Sequence, residues 1–169
     1  MALNLPTRIT LVRLLAVPLI LVGMGAPVWS DWVTLTIFVL AAGTDWLDGW
    51  LARRLNQVTD LGKFLDPLVD KLLVLAPLLM LVQQQVVPGW AVFVILAREL
   101  AIAGWRVNQT TISGANNLGK LKTVTQIGAV ILLLPPLART TTAAGLGLFW
   151  LAVALTVVSG LVYLKPARG

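Results

Sequence analysis

The chain contains no cysteine and no histidine among its 169 residues. Without cysteine there are no disulfides, thiolate nucleophiles, iron–sulfur clusters or cysteine-ligated zinc. Without histidine there is no imidazole to ligate a metal or to serve as a general base. Any metal must then rest on oxygen donors, which selects hard cations such as Mg²⁺, Ca²⁺ or Mn²⁺. Serine, threonine, lysine and the carboxylates are the reactive groups that remain. The missing thiols leave the redox compartment open. Charge is scarce as well: 12% of the residues are charged, about half of the ~25% usual in soluble domains. Negative charge is the scarcer sign, seven acidic residues against thirteen lysines and arginines, for a net charge of +6.

What replaces them is apolar. Hydrophobic residues make up 58% of the chain, and the mean hydropathy is +0.89. A water-soluble domain of this length has too few polar groups to cover such a surface, so a soluble globular enzyme is excluded, as is a disordered or fibrous chain. The length suits one domain, 1–169, and in a bilayer about six spans of ~20 residues each. Uncharged runs cover 14–30, 32–44, 72–97, 107–119, 123–138 and 140–164. Two of them, 72–97 and 140–164, clearly exceed the ~18 residues a spanning helix needs. The others span only if polar groups at their ends lie in a protein-lined cavity, which points to a polar chamber at one membrane face.

The expected fold is therefore all-α, an integral membrane bundle of six transmembrane helices at roughly 8–26, 32–53, 65–86, 89–110, 119–138 and 143–164. Gly25-Ala26-Pro27, Asn56, Val87-Pro88-Gly89, Ser113-Gly114-Ala115-Asn116-Asn117 and Pro135-Pro136 supply the turns; Gln83-Gln84-Gln85 reads as part of a loop at the far interface. The run 14–30 follows Arg8 and Arg13 like a signal-peptide core, but no small-x-small cleavage site closes it, so it is read as a retained span. Of the thirteen basic residues, Arg139 alone falls on one side; the other twelve place both termini in the cytoplasm, on a multi-pass protein of the cell (inner) membrane. Trp29, Trp32, Trp90 and Trp150 fall near the opposite interface as an aromatic belt. Because the basic groups hug span ends, the pI of 10.6 fits an anionic leaflet and anionic substrates, with no nucleic acid partner.

Four of the seven acidic residues crowd into one stretch: Asp45, Asp48, Asp66 and Asp70. Asp45 and Asp48 share a face near the cytoplasmic end of the second span; Asp66 and Asp70 share a face at the start of the third. The expected geometry has Asp66 capping that third helix with Pro67 in its first turn. A turn between Arg53 and Leu65 brings the two pairs opposite each other. Four carboxylates at a bilayer surface repel, and one or two divalent cations are the natural compensation. Gly49 removes a side chain where a ligand approaches the helix. Spacing alone leaves a second reading open, ordinary interfacial ion pairs with Arg53, Arg54, Lys63 and Lys71.

The pattern Asp45-x-x-Asp48-Gly49-x-x-Ala52-Arg53, eight residues, then Gly62-x-x-x-Asp66-x-x-x-Asp70 resembles the full signature of the CDP-alcohol phosphatidyltransferase family. The resemblance implies Mg²⁺ or Mn²⁺, two per active site, on Asp45, Asp48, Asp66 and Asp70, with Asp70 also the general base. It implies that Thr7, Gly49, Ala52, Arg53, Thr59 and Gly62 hold the CDP-linked lipid. The implied reaction is attack of an acceptor hydroxyl on the β-phosphoryl of that lipid, releasing CMP without a covalent enzyme intermediate.

Asn4-Leu5-Pro6-Thr7-x-x-Thr10-x-x-Arg13, Arg98-Glu99-Leu100 and Gly119-Lys120-Leu121-Lys122-Thr123 are similar to the phosphatidylglycerophosphate synthase branch of that family, over essentially the whole chain. This implies CDP-diacylglycerol as donor, sn-glycerol 3-phosphate as acceptor, and a homodimer among membrane phospholipids; the compact size suggests a bacterial origin. Arg98, Arg106, Lys120 and Lys122 form a cationic group suited to the acceptor's phosphate dianion. The plainer reading pairs Arg98 with Glu99 and leaves Lys120 and Lys122 to the positive-inside rule. Arg8 and Arg13 divide between lipid headgroups and the diphosphate. The competing functions are transfer to inositol phosphate, serine or a phospholipid and, outside enzymes, a small cation carrier, although no internal repeats of the carrier kind are present.

Overall fold

The computed structural model describes residues 5–26, 28, 30–55, 60–107, 117–134 and 139–164, and the side chains within 9–26, 28, 30–44, 65–104, 119–134 and 142–161. It is all-helical: α1 (Leu5–Gly25), α2 (Asp31–Leu55), α3 (Asp60–Gln83), α4 (Gly89–Val107), α5 (Asn117–Leu133) and α6 (Arg139–Leu164), with no strand among the described residues. Each helix falls on one of the six expected apolar segments. The turns expected at Asn56, in 113–116 and at Pro135-Pro136 lie outside the described residues.

One boundary differs in a way that matters. α3 begins at Asp60, so Pro67 lies inside the helix, as does Pro77. Asp66 is therefore not a cap. A proline inside a helix leaves the carbonyl four residues earlier without its N–H partner, and α3 runs on past one such loss at each proline. Asp66 and Asp70 thus stand on continuous helix, one turn apart.

The chain forms two compact units. The first comprises Met1–Met80 with Leu134–Pro136, and so holds α1, α2 and most of α3. Its buried residues on α1 are Thr10, Arg13, Ala16, Val17 and Ile20, a stripe at helical spacing. Phe38 and Ala41 of α2 are buried too, as are Val69, Leu73, Val74 and Leu78 of α3. The opposite side of α1 exposes Val12, Leu15, Leu19 and Val22. Thr10 and Arg13 are thus sequestered within an otherwise apolar stripe while large apolar side chains face out.

The second unit comprises Leu81–Leu133 with Leu137–Gly169. The end of α3 is closed by Gln85, whose φ of 60° is the one positive value among the described non-glycine residues. Its N–H donates to the Val82 carbonyl at 3.0 Å and that of Val86 to the Leu81 carbonyl at 2.9 Å, a left-handed cap that satisfies the last helical acceptors. Gln83 ends the helix and Gln84-Gln85 make the turn, in line with the loop expected there. Trp90, at the start of α4, lies 5.5 Å from Trp150 of α6 between ring centroids, and Phe149 meets Trp150 edge-on at 5.5 Å. Among the described residues one stretch, Thr142–Leu161 of α6, is long and apolar enough to cross a membrane alone, with mean hydropathy 2.0; Ile9–Gly25 and Asp31–Thr44 are shorter apolar helices.

Hydroxyls within these apolar helices turn back on their own backbone. Thr36 donates to the Trp32 carbonyl, Thr125 to that of Lys122, Thr156 to that of Ala152 and Ser159 to that of Thr156, so these four hydroxyls are satisfied within their own helices. α5 and α6 pack closely at Gly145, where a Cβ would come within 2.8 Å of Leu133 and 3.1 Å of Leu132. Gly145→Ala is expected to cost about 1–3 kcal/mol, because both leucines must shift. At Gly147 on the same helix a Cβ meets nothing within 4 Å, and Gly147→Ala is expected to be neutral or slightly stabilising. Thermal unfolding of the two purified variants checks the contrast.

Candidate active site

α3 presents Asp66 and Asp70 four residues apart, so their carboxylates share one face. Their partners come from α1. Thr10 Oγ1 donates to Asp66 Oδ1 at 2.6 Å, and Arg13 Nη1 donates to Asp70 Oδ1 at 2.5 Å. Both donors are sequestered, each only 1% exposed, whereas the Asp70 side chain is 40% exposed. The arrangement is a carboxylate pair held from behind and accessible at Asp70. Arg13, which the sequence left between headgroups and diphosphate, is turned inward to α3.

Asp45, Asp48, Gly49, Ala52 and Arg53 lie on α2, and helical spacing sets Asp45 and Asp48 on one face of it. Thr7 lies on α1, one turn before Thr10, and Gly62 on the first turn of α3. The side chains of all these residues, and Thr59 altogether, are outside the described residues. The described donors at the site are carboxylate oxygens one helical turn apart, one of them open to solvent, a set that fits a hard divalent cation. Asp66 and Asp70 are the described residues that would hold it.

A second ionic group is built in the other unit. Glu99 of α4 accepts a hydrogen bond from Lys122 of α5 and a second from the neighbouring Arg98 Nη1 at 3.1 Å. Lys122 is buried, and Arg98 and Glu99 are nearly so. Two cations thus share one carboxylate. Gly160 of α6 lets the Arg98 stem lie close, since a Cβ there would sit 3.4 Å from Arg98 Cγ. Of the four expected phosphate-binding cations, Arg98 and Lys122 are thus brought together. Lys120 is exposed two residues away on α5, a separation that places it on a different helix face. The Arg106 side chain lies outside the described residues.

Sequence reasoning missed two things. Thr10 entered only as part of a motif and Arg13 only as a contact for headgroups or the diphosphate, though their i, i+3 spacing already placed them on one face. Glu99 was noticed only as a partner for Arg98. Glu99→Ala removes the carboxylate shared by buried Lys122 and nearly buried Arg98 and is expected to cost about 3–5 kcal/mol of stability, with Glu99→Gln milder because an acceptor remains. Thermal unfolding of both variants measures this.

The family model for CDP-alcohol phosphatidyltransferases matches residues 3–158, across both units. A Bacillus subtilis protein named CDP-diacylglycerol–glycerol-3-phosphate 3-phosphatidyltransferase is 44% identical over 95% of this chain and 93% of its own length. Proteins of the same name from Salmonella choleraesuis and Escherichia coli K12 are each 38% identical, over 100% and 99% of this chain and 97% of their own lengths. With the acidic pair of α3 in place, and with similarity extending over nearly the whole length, the chain belongs to the CDP-alcohol phosphatidyltransferase family.

Proposed function

We propose that this protein transfers the phosphatidyl group of CDP-diacylglycerol to sn-glycerol 3-phosphate, giving phosphatidylglycerol phosphate and CMP. The observation that carries the reading is the acidic pair of α3, in family spacing and held by α1, in a chain whose full-length relatives bear that activity in their names. Members of the family generally use divalent metals. Here Asp45, Asp48, Asp66 and Asp70 would hold two ions, Mg²⁺ or Mn²⁺. Bound there, the cations neutralise the diphosphate and stabilise the departing CMP.

The chain's own residues do the rest. Thr7, Gly49, Ala52, Arg53, Thr59 and Gly62 hold the CDP-linked lipid. Arg98, Arg106, Lys120 and Lys122 supply positive charge for the acceptor's phosphate. Asp70 takes the proton of the attacking hydroxyl. The hydroxyl oxygen forms its bond to the β-phosphorus as the bond to the CMP oxygen breaks. No residue of the enzyme becomes phosphorylated.

The same reading sets the protein in the cell (inner) membrane of a bacterium as a homodimer of six-span chains, with both termini and the active site in the cytoplasm. The outward apolar faces of α1 and the one-sided distribution of lysine and arginine support it.

A CMP-release assay on purified protein with CDP-diacylglycerol and a panel of acceptors tests the reaction directly. Activity is expected to vanish in chelator and return with Mg²⁺ or Mn²⁺, and Asp70→Asn to abolish turnover in a folded protein, whereas Arg139→Ala loses little. Undiminished turnover after exhaustive chelation would sink the metal reading; cation uptake without CMP release would favour a carrier. A two-substrate kinetic matrix tests the acceptor assignment. Arg106→Gln or Lys120→Gln is expected to raise the glycerol 3-phosphate KM about 10- to 150-fold, the equivalent of one charge-assisted hydrogen bond, with a much smaller change for the lipid donor. Efficient use of serine would remove the case for a phosphate pocket.

A further inference from the structure

We propose that Thr10 and Arg13 are positioning residues for the acidic pair, so that α1 orients the Asp66 and Asp70 carboxylates before any cation arrives. The inference rests on the metal-site reading above and assigns to α1 a task that the acidic signature does not contain. Its foundation is a double contact in matched register: Thr10 to Asp66 at 2.6 Å and Arg13 to Asp70 at 2.5 Å. Three residues advance about 4.5 Å along α1 and four advance about 6 Å along α3. The donors and acceptors run in the same direction, and the longer arginine side chain spans the difference.

A carboxylate on a helix samples several side-chain orientations, whereas a metal site needs its oxygens in fixed places. Each carboxylate here has one oxygen tied to a helix other than its own. The ties are also insulated: both donors are 1% exposed, so water competes for neither. Packing alone does not account for a guanidinium at such a place, because a buried cation is costly without a carboxylate to meet it. Arg13 adds a charge that by Coulomb's law opposes a nearby dication. Geometry and charge therefore pull in opposite directions at Arg13, and a charge-preserving substitution separates them.

The experiment titrates Mn²⁺ into the purified full-length protein without substrates, following free Mn²⁺ by electron paramagnetic resonance. Thr10→Val, Thr10→Ser and Arg13→Lys are compared, with circular dichroism as the folding check. Thr10→Val and Arg13→Lys are expected to bind Mn²⁺ about 10- to 100-fold more weakly, the usual loss when a ligand's own hydrogen-bond partner is removed. Their activity should recover at high Mn²⁺ with little change in either substrate KM, and Thr10→Ser should stay close to the unsubstituted protein. Unchanged Mn²⁺ affinity in Thr10→Val and Arg13→Lys overturns the proposal. So does an equal loss in Thr10→Ser and Thr10→Val, which would mark a packing role. A raised CDP-diacylglycerol KM in Arg13→Lys at unchanged Mn²⁺ affinity would reassign Arg13 to the diphosphate. Absence of saturable Mn²⁺ binding in the unsubstituted protein overturns the metal reading itself, an outcome that needs no variant and is therefore distinguishable.

Discussion

Sequestering an ion inside an apolar protein costs several kcal/mol per group unless an opposite charge meets it, and among the described residues Arg13 and Lys122 are sequestered cations. Each is met by a carboxylate from a different helix, Asp70 in one unit and Glu99 in the other. These pairs set where the helices that carry them can lie. α1 cannot turn about its axis relative to α3 without parting Arg13 from Asp70 and Thr10 from Asp66. α5 cannot slide along α4 without exposing Lys122. Helices whose outer faces are largely apolar have few other directional contacts to specify rotation, because apolar contacts are not directional.

The same constraint organises the uncharged polar groups. In a chain so poor in charge, each hydroxyl inside a helix needs an acceptor at hand, and Thr125, Thr156 and Ser159 find one on their own helix. Where helices must approach closely, glycine takes the place of bulk, as at Gly145 against Leu133. Stability in α5 and α6 thus draws on close contact and satisfied hydroxyls as well as on the buried Val130, Leu133, Phe149 and Val153.

Function draws on the same groups. Among the described contacts, Asp66 accepts from the Thr10 hydroxyl and Asp70 from the Arg13 guanidinium. In the second unit Glu99 accepts from both Arg98 and Lys122. Carboxylates suit divalent cations, and lysine and arginine suit a phosphate. The proposed reaction needs both.

Much of this was legible in the order of residues. Six apolar segments broken by turn signals became six helices, since hydropathy and helix breakers act over a few residues and need no knowledge of the fold. The lack of histidine and cysteine limited any metal to oxygen donors, and the acidic signature marked where to look. Pro67 was misplaced as a helix start because proline's preference for a first turn is only a local tendency, and α3 tolerates the one lost hydrogen bond. The partners of the charges were beyond local reach. Thr10 and Asp66 are 56 residues apart and Arg13 and Asp70 are 57 apart. Spacing along a helix tells which side chains share a face, but not which helix that face will meet. Sequence alone settled the kind of chemistry available; the tertiary structure decided that α1 stands behind the acidic pair and that Glu99 joins Arg98 to Lys122, because only packing brings distant charges within hydrogen-bonding distance.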